Sequence, residues 1–323
     1  MPLKSTYPAF PAVERGKPTV LKLSPKRDKL LYGHGNIVII RDVVPPPGGP
    51  IQTQVYAGHS YPVTAVEMAP SGCYCASGDS SGVLRIWACD HPDQILKLET
   101  PLFGGKILDI SWSADSQRLV GVGEGSALYG KVIMWDSGNS VGEISGHSKH
   151  INSCSFKSSR PFRIVTGGED NKVGFFEGPP FKYKATAHTH ERFVNTVRFS
   201  PSGDFFYSAS SDGSLALYDG KTGELVGEPK KLHGGSIYCA AWSPDGTQIL
   251  TSSGDGTAKV VKVPDLAEVA TLELKSGDRS KTVFEQQVAA SLARGATPST
   301  TPLALATSHH THPPSLPRHH AAP

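Results

Sequence analysis

The sequence predicts an all-β chain, a β-propeller of about six four-stranded blades plus an incomplete seventh, and three observations carry that expectation. Residues 189–223 read as short strands divided by turn signals. The same pattern recurs at a nearly constant period along most of the chain. The composition, with 34 Gly and 26 Pro in 323 residues, suits many tight turns better than long helices.

The clearest unit serves as template. Residues 194–199 alternate apolar and polar side chains, and Ser200-Pro201-Ser202-Gly203 turns the chain. A second strand at 205–210 ends at Ser211-Asp212-Gly213, and a third at 214–219 ends at Gly220-Lys221-Thr222-Gly223. Residues 224–227 are expected as the fourth. Runs of four to six residues with β-branched and aromatic content, bounded by Gly, Pro, Ser and Asp, are the signature of strands.

The repeat is a His followed by apolar residues four, seven and nine positions later. His59, His147, His190 and His233 head four copies, and Phe103 replaces the His in another. These starts lie 44, 44, 43 and 43 residues apart, and a degenerate copy begins near Glu14. A period of roughly 40–45 residues with four strands per unit is that of propeller blades.

Taken in order, residues 1–16 form an extended leader with three prolines, and residues 17–288 the propeller. Blade one is expected over about 17–44, with the Pro-Gly run 43–50 as a stiff linker. Blade two follows over 51–99, blade three over 100–143 and blade four over 144–184, with the template fifth and the sixth over 230–274. Residues 275–288 open a seventh repeat without delivering its strands. Residues 289–323 change to Ala, Pro, Ser, Thr and His, a composition that buries too little apolar surface to offset its ordering entropy, so a disordered tail is expected.

Charge and cysteine usage narrow the function classes. The formal charge is +3, of which Arg294 and Arg318 in the acid-free tail supply two, so the body lacks the concentrated basic face that nucleic acid requires. Five irregularly placed cysteines do not make a disulfide framework, and reduced thiols are expected. The start lacks an apolar signal core and no stretch approaches a membrane span, so a cytoplasmic protein without membrane contact is expected.

Candidate chemistry points away from an enzyme. His190, Asp212 and a nearby Ser imitate a nucleophilic triad, but the His recurs at the blade period, which a single catalytic site does not require. Glycines 121, 123 and 125 lack the spacing and following helix of a phosphate cradle, and a hairpin loop fits better. Cys73 and Cys75 share one strand face without a second Cys pair, so packing is expected rather than zinc. The tail histidines 309, 310, 312, 319 and 320 could chelate adventitious metal only, and no cofactor is expected.

Gly58-His59, Gly146-His147, Trp135-Asp136, Tyr218-Asp219 and the Asp-Gly turns at 212–213 and 255–256 resemble the WD-repeat family. That resemblance implies one buried network per blade of His, turn Asp, second-strand hydroxyl and third-strand aromatic. In the template these are His190, Asp212, Ser208 or Ser210, and Tyr218, with His59, His147, His233 and Asp255 as counterparts elsewhere. Ser81 stands where the turn Asp belongs in blade two, and Phe176 and Val261 replace the third-strand Trp in blades four and six.

Further strings, among them VGEG (122–125), WDSGNSVGEISGH (135–147), FFEGPPFKYK (175–184) and RFVNTVRFSPSGD (192–204), resemble the actin-interacting protein 1 family, the WD-repeat cofactors of cofilin. The resemblance runs from about Glu14 to Val288. It implies the first of two tandem propellers, a non-enzymatic module that binds actin filaments and promotes disassembly of cofilin-decorated ones. It points to Glu169, Lys182, Tyr183 and Phe193 as actin or cofilin contacts. The blade-three loop departs, with Ala127 where the family carries an acid. A generic propeller scaffold or assembly adaptor is the competing expectation, because propellers host many functions.

Overall fold

The computed structural model describes residues 11–12, 20–43 and 51–273. The expected leader (save 11 and 12), all but the first residue of the Pro-Gly linker, the seventh-repeat fragment and the tail with its histidines lie outside the described residues. Described are 24 strands in six four-stranded antiparallel sheets, each built from four consecutive strands in chain order.

Numbered along the chain, blade one holds β1 (Leu21–Leu23), β2 (Lys29–His34), β3 (Ile37–Asp42) and β4 (Thr53–Tyr56). Blade two holds β5 (Val63–Met68), β6 (Tyr74–Asp79), β7 (Val83–Ala88) and β8 (Leu96–Pro101). Blade three holds β9 (Ile107–Trp112), β10 (Arg118–Gly123), β11 (Gly130–Met134) and β12 (Ser140–Glu143). Blade four holds β13 (Ile151–Phe156), β14 (Arg163–Gly168), β15 (Val173–Glu177) and β16 (Lys182–Ala187). Blade five holds β17 (Val194–Phe199), β18 (Phe205–Ser210), β19 (Ser214–Asp219) and β20 (Lys230–Lys231). Blade six holds β21 (Ile237–Trp242), β22 (Gln248–Ser253), β23 (Thr257–Lys262) and β24 (Ala267–Glu273).

Two strand assignments differ from the sequence expectation. Residues 53–56 belong to blade one, not blade two, because Thr53–Tyr56 pair with Val38–Arg41 and satisfy the open edge of β3. In sequence, the Pro-Gly run therefore falls between two strands of one blade and not between two blades. In the template, Leu225 makes only an isolated bridge to Tyr218, and the fourth strand forms at Lys230–Lys231 instead. The left-handed backbone of Gly227 (φ 72°) redirects the chain before regular pairing can continue.

Apolar side chains alternate through each sheet, so every blade presents a core face to each neighbour. Leu31, Val38 and Ile40 of blade one meet Cys75 and Trp87 of blade two, and Leu84 and Ile86 on the opposite face of blade two meet Ile107, Ile110 and Ile133 of blade three. Phe156, Phe162, Phe176 and Phe181 of blade four pack on Val120, Val122 and Val132. Separate clusters fill the spaces between blades four and five and between five and six.

The first strand of each blade is innermost, and all six line one central cavity. Polar side chains tie these strands together at the blade period. Thr64 Oγ1 donates to the Ile107 carbonyl, Asn152 Nδ2 to that of Val194 and Asn195 Nδ2 to that of Ile237. The Trp112 and Trp242 indoles donate backwards, to the Glu67 and Arg198 carbonyls.

A charged cluster sits in the same channel. Asp109, almost fully buried, takes ion pairs from Arg198 at 2.8 Å and Lys22 at 3.0 Å, and hydrogen bonds from Ser153 Oγ and the Cys154 amide, both at 3.0 Å. Lys22 also reaches Glu67 at 3.2 Å. Inner strands of five blades thus meet at one carboxylate and its partners. Burial alone would raise the Asp109 pKa, but the Arg198 and Lys22 charges hold it down to about 2.

Candidate interaction face

At one end of each blade lie the loop entering the innermost strand and the turn between the second and third strands. Buried histidines fasten these two segments together. In blade two, His59 Nδ1 is 2.9 Å from Asp79 Oδ2, His59 Nε2 is 2.7 Å from Ser77 Oγ, and the Trp87 indole donates to Ser77 at 3.1 Å. An ionised Asp only accepts, so the proton sits on Nδ1 and Nε2 accepts from the Ser hydroxyl. Burial lowers the His59 pKa against the raising effect of Asp79, which keeps the ring neutral in this role.

The expected gap at Ser81 does not exist. Asp79, two residues earlier, supplies the carboxylate, and Ser81 donates to its other oxygen at 2.6 Å. In blade five, His190 Nε2 is 2.6 Å from Ser208, whose Oγ lies 3.2 Å from the Tyr218 hydroxyl, while Nδ1 faces Ser214 at 2.8 Å and Asp212 at 3.4 Å. Ser210 turns away and donates to the Arg192 carbonyl. His147 joins Asp170 and Thr166 at 3.0 and 2.7 Å. His233 joins Asp255 and Thr251 at 3.1 and 2.9 Å. Phe176 and Val261 contribute no polar atom, so the networks of blades four and six stop at the second-strand hydroxyl.

The His190–Ser208–Asp212 set has the residue types of a triad, but the His190 side chain and Ser208 are fully buried, so no substrate reaches them. What the sets do is hold loops. Asp170, Asp212 and Asp255 each accept from the amide one residue after the His, at Ser148, Glu191 and Gly234. The exposed residues that follow are thereby placed on a rigid rim. Among the described residues no group of three or more His, Cys, Asp or Glu could hold a metal ion.

On that rim, blades three to five bring several side chains into one row. Tyr129 faces the His150 ring at 6.0 Å, and the Glu169 amide donates to the His150 carbonyl at 2.9 Å. Lys149 Nζ stands 5.9 Å over the Phe193 ring, which is 44% exposed. Asn171 bridges to the Glu191 carbonyl and ties the Glu169 turn to the Phe193 loop.

Of the four contact residues expected from the sequence, Glu169 and Phe193 therefore share this rim. Lys182 does not. It opens β16 in register with Glu177 and Arg163, at the opposite end of the blade, and is exposed there. Tyr183 sits on the outermost strand, 46% exposed; its hydroxyl bonds Thr186 at 2.8 Å and its ring meets the Phe176 edge and covers Gly146. Part of Tyr183 is thus packing. Lys149, His150 and Tyr129 were not singled out from the sequence, although Lys149 and His150 directly follow a blade His and its Ser, where blades two and five carry the exposed Tyr61 and Phe193.

An exposed aromatic beneath a cation, flanked by both charge signs on a fixed loop, has the make-up of a protein-binding anchor. The family model "WD domain, G-beta repeat" matches residues 48–88, and that for "Eukaryotic translation initiation factor eIF2A" matches 149–263. WD repeat-containing protein 1 of Xenopus tropicalis is 49% identical over 84% of this chain and 44% of its own length. That of Mus musculus is 47% identical over 88% and 46%. Actin-interacting protein 1 of Drosophila melanogaster is 48% identical over 88% and 46%. The chain spans about half the length of the curated relatives it matches.

Proposed function

Because this chain belongs, over the portion it matches, to the family of WD repeat-containing protein 1 and actin-interacting protein 1, we propose that it is a non-enzymatic, actin-filament-binding propeller that promotes disassembly of cofilin-decorated filaments in the cytoplasm. The observation that carries this reading is the breadth of the match: nearly half of the residues are identical to an actin-interacting protein across 88% of the chain. The initiation-factor match covers blades four to six alone and gives no comparable support for a translation role.

The rim supplies a physical means. Phe193, Lys149 and Glu169 are held on loops that the buried His–Asp sets immobilise, so binding through them orders little that is not already ordered. To act on decorated filaments the face must prefer the cofilin-bound state, since a ligand shifts an equilibrium only by its differential affinity. Lys182 and Tyr183, on the outer strand, make a second contact in this reading.

Cosedimentation with actin filaments, with and without cofilin, tests it. The expected result is pelleting with decorated filaments that exceeds pelleting with bare ones. Equal and negligible pelleting in both would overturn the actin reading and favour a scaffold for other proteins.

A further inference from the structure

We infer that Cys73 and Cys89 form a redox-active pair that closes to a disulfide across the β6–β7 hairpin. Tyr74 pairs with Ala88 in the ladder, which places Cys73 directly opposite Cys89, and the Cys89 amide donates to the Cys73 carbonyl at 2.9 Å. Opposite residues of an antiparallel pair project from the same face, with Cα atoms about 4.5–5.5 Å apart. That lies inside the ~4.4–6.8 Å span of disulfides.

Both thiols lean toward the same turn, Cys73 Sγ to the Ser71 carbonyl at 3.7 Å and Cys89 Sγ to the Gly72 carbonyl at 3.5 Å. Each residue lies one position beyond the end of its strand, so the small approach needed for a bond does not require β6 or β7 to slip. Cys75 is on the same face but is fully buried against the blade-one core and sits opposite Trp87, so no thiol stands across from it. Cys73 is the one of the three with access to solvent, and all are free thiols in this structure.

The oxidant is a small-molecule disulfide. The Cys73 thiolate attacks one of its sulfurs, that S–S bond breaks, and one small thiolate leaves and takes up a proton. The Cys89 thiolate then attacks Cys73 Sγ, expelling the second small thiolate. Two electrons pass from the protein to the small disulfide, and two protein thiols become one disulfide. Burial, with Asp90 and Cys73 adding and Lys29 opposing, pushes the Cys89 thiol up to about 12. Cys75 is the other titratable group beside it. The second step therefore follows the scarce Cys89 thiolate and is the slow one.

The test incubates the full chain with oxidised glutathione, blocks remaining thiols with an alkylating agent after denaturation, and maps peptides by mass. The expected product joins Cys73 to Cys89 and is lighter by two hydrogens, with Cys75, Cys154 and Cys239 alkylated. Its formation from the Cys73 adduct should speed up about tenfold per pH unit between pH 7 and 9. Cys89→Ser should accumulate the glutathione adduct at Cys73, and Cys75→Ser should close like the parent. A Cys73 adduct in the parent that never converts, or a disulfide that includes Cys75, overturns the inference.

Discussion

Replacing Asp109 with Asn keeps the shape of the channel hub and removes its charge. In the parent, Arg198 and Lys22 sit 2.8 and 3.0 Å from the carboxylate, and the substitution leaves both cations facing a neutral amide. The magnitude follows from linkage. A carboxyl near 3.9 in the unfolded chain and near 2 when folded contributes about 2–3 kcal/mol at neutral pH. The folded pKa is the lower one, so this stability is present above pH ~4 and is lost as pH falls through ~2, with about half gone near pH 3. Asp109→Asn should therefore melt about 5–10 °C below the parent at pH 7, taking 2–4 °C per kcal/mol for a domain of this size. Urea unfolding of both proteins at pH steps from 7 to 2.5 gives the difference directly, because acids common to both cancel. The gap should narrow below pH 4 and fall to about a third of its neutral-pH size at pH 2.5. A variant as stable as the parent at pH 7, or a gap that stays constant to pH 3, would refute the reasoning.

Other substitutions separate the rim from its supports. Phe193→Ala and Lys182→Ala should weaken cosedimentation with decorated filaments while leaving the melting temperature within about 2 °C, as expected for exposed positions. Tyr183→Phe keeps the ring over Gly146 and loses only the Thr186 bond, so a binding loss there without a melting change would assign the hydroxyl to the interface. His190→Ala leaves Ser208 without its ring partner and should cost about 1–3 kcal/mol in urea unfolding, with binding falling only as folded protein is lost. Gly82→Ala should express poorly or unfold early on heating, because its φ is +89° and an added Cβ would meet the Phe103 carbonyl oxygen at 2.0 Å.

Much of this architecture is local and therefore legible. Strands 194–199, 205–210 and 214–219 follow from two-residue alternation and Gly-Asp-Pro turns, and a hairpin needs no information from outside its own residues. The blade histidines stand out because four of the repeats present the same need, a polar bridge between two loops that would otherwise leave buried groups unpaired. The role of Asp79 was less visible, since its carboxylate reaches back two residues from the position the pattern assigns to it.

What the sequence by itself determined is the repeating unit, and with it the curvature of the chain into blades. Tertiary structure decided what lies between blades. Lys22, Glu67, Asp109 and Arg198 come from four different repeats, and none is marked by its neighbours in sequence. At the matching inner-strand positions other blades carry Ala65, Ser153, Thr196 and Cys239 beside Asp109, and Ser111, Ser155 and Ala241 beside Lys22, Glu67 and Arg198. Charges at positions otherwise held by small residues are the one trace such a cluster leaves. Likewise the rim joins Tyr129, His150 and Phe193 only after three blades have packed. Alternation and turn chemistry are set by covalent neighbours, whereas contacts across a ring depend on side chains more than forty residues apart meeting in space, and only the packed inner strands bring them there.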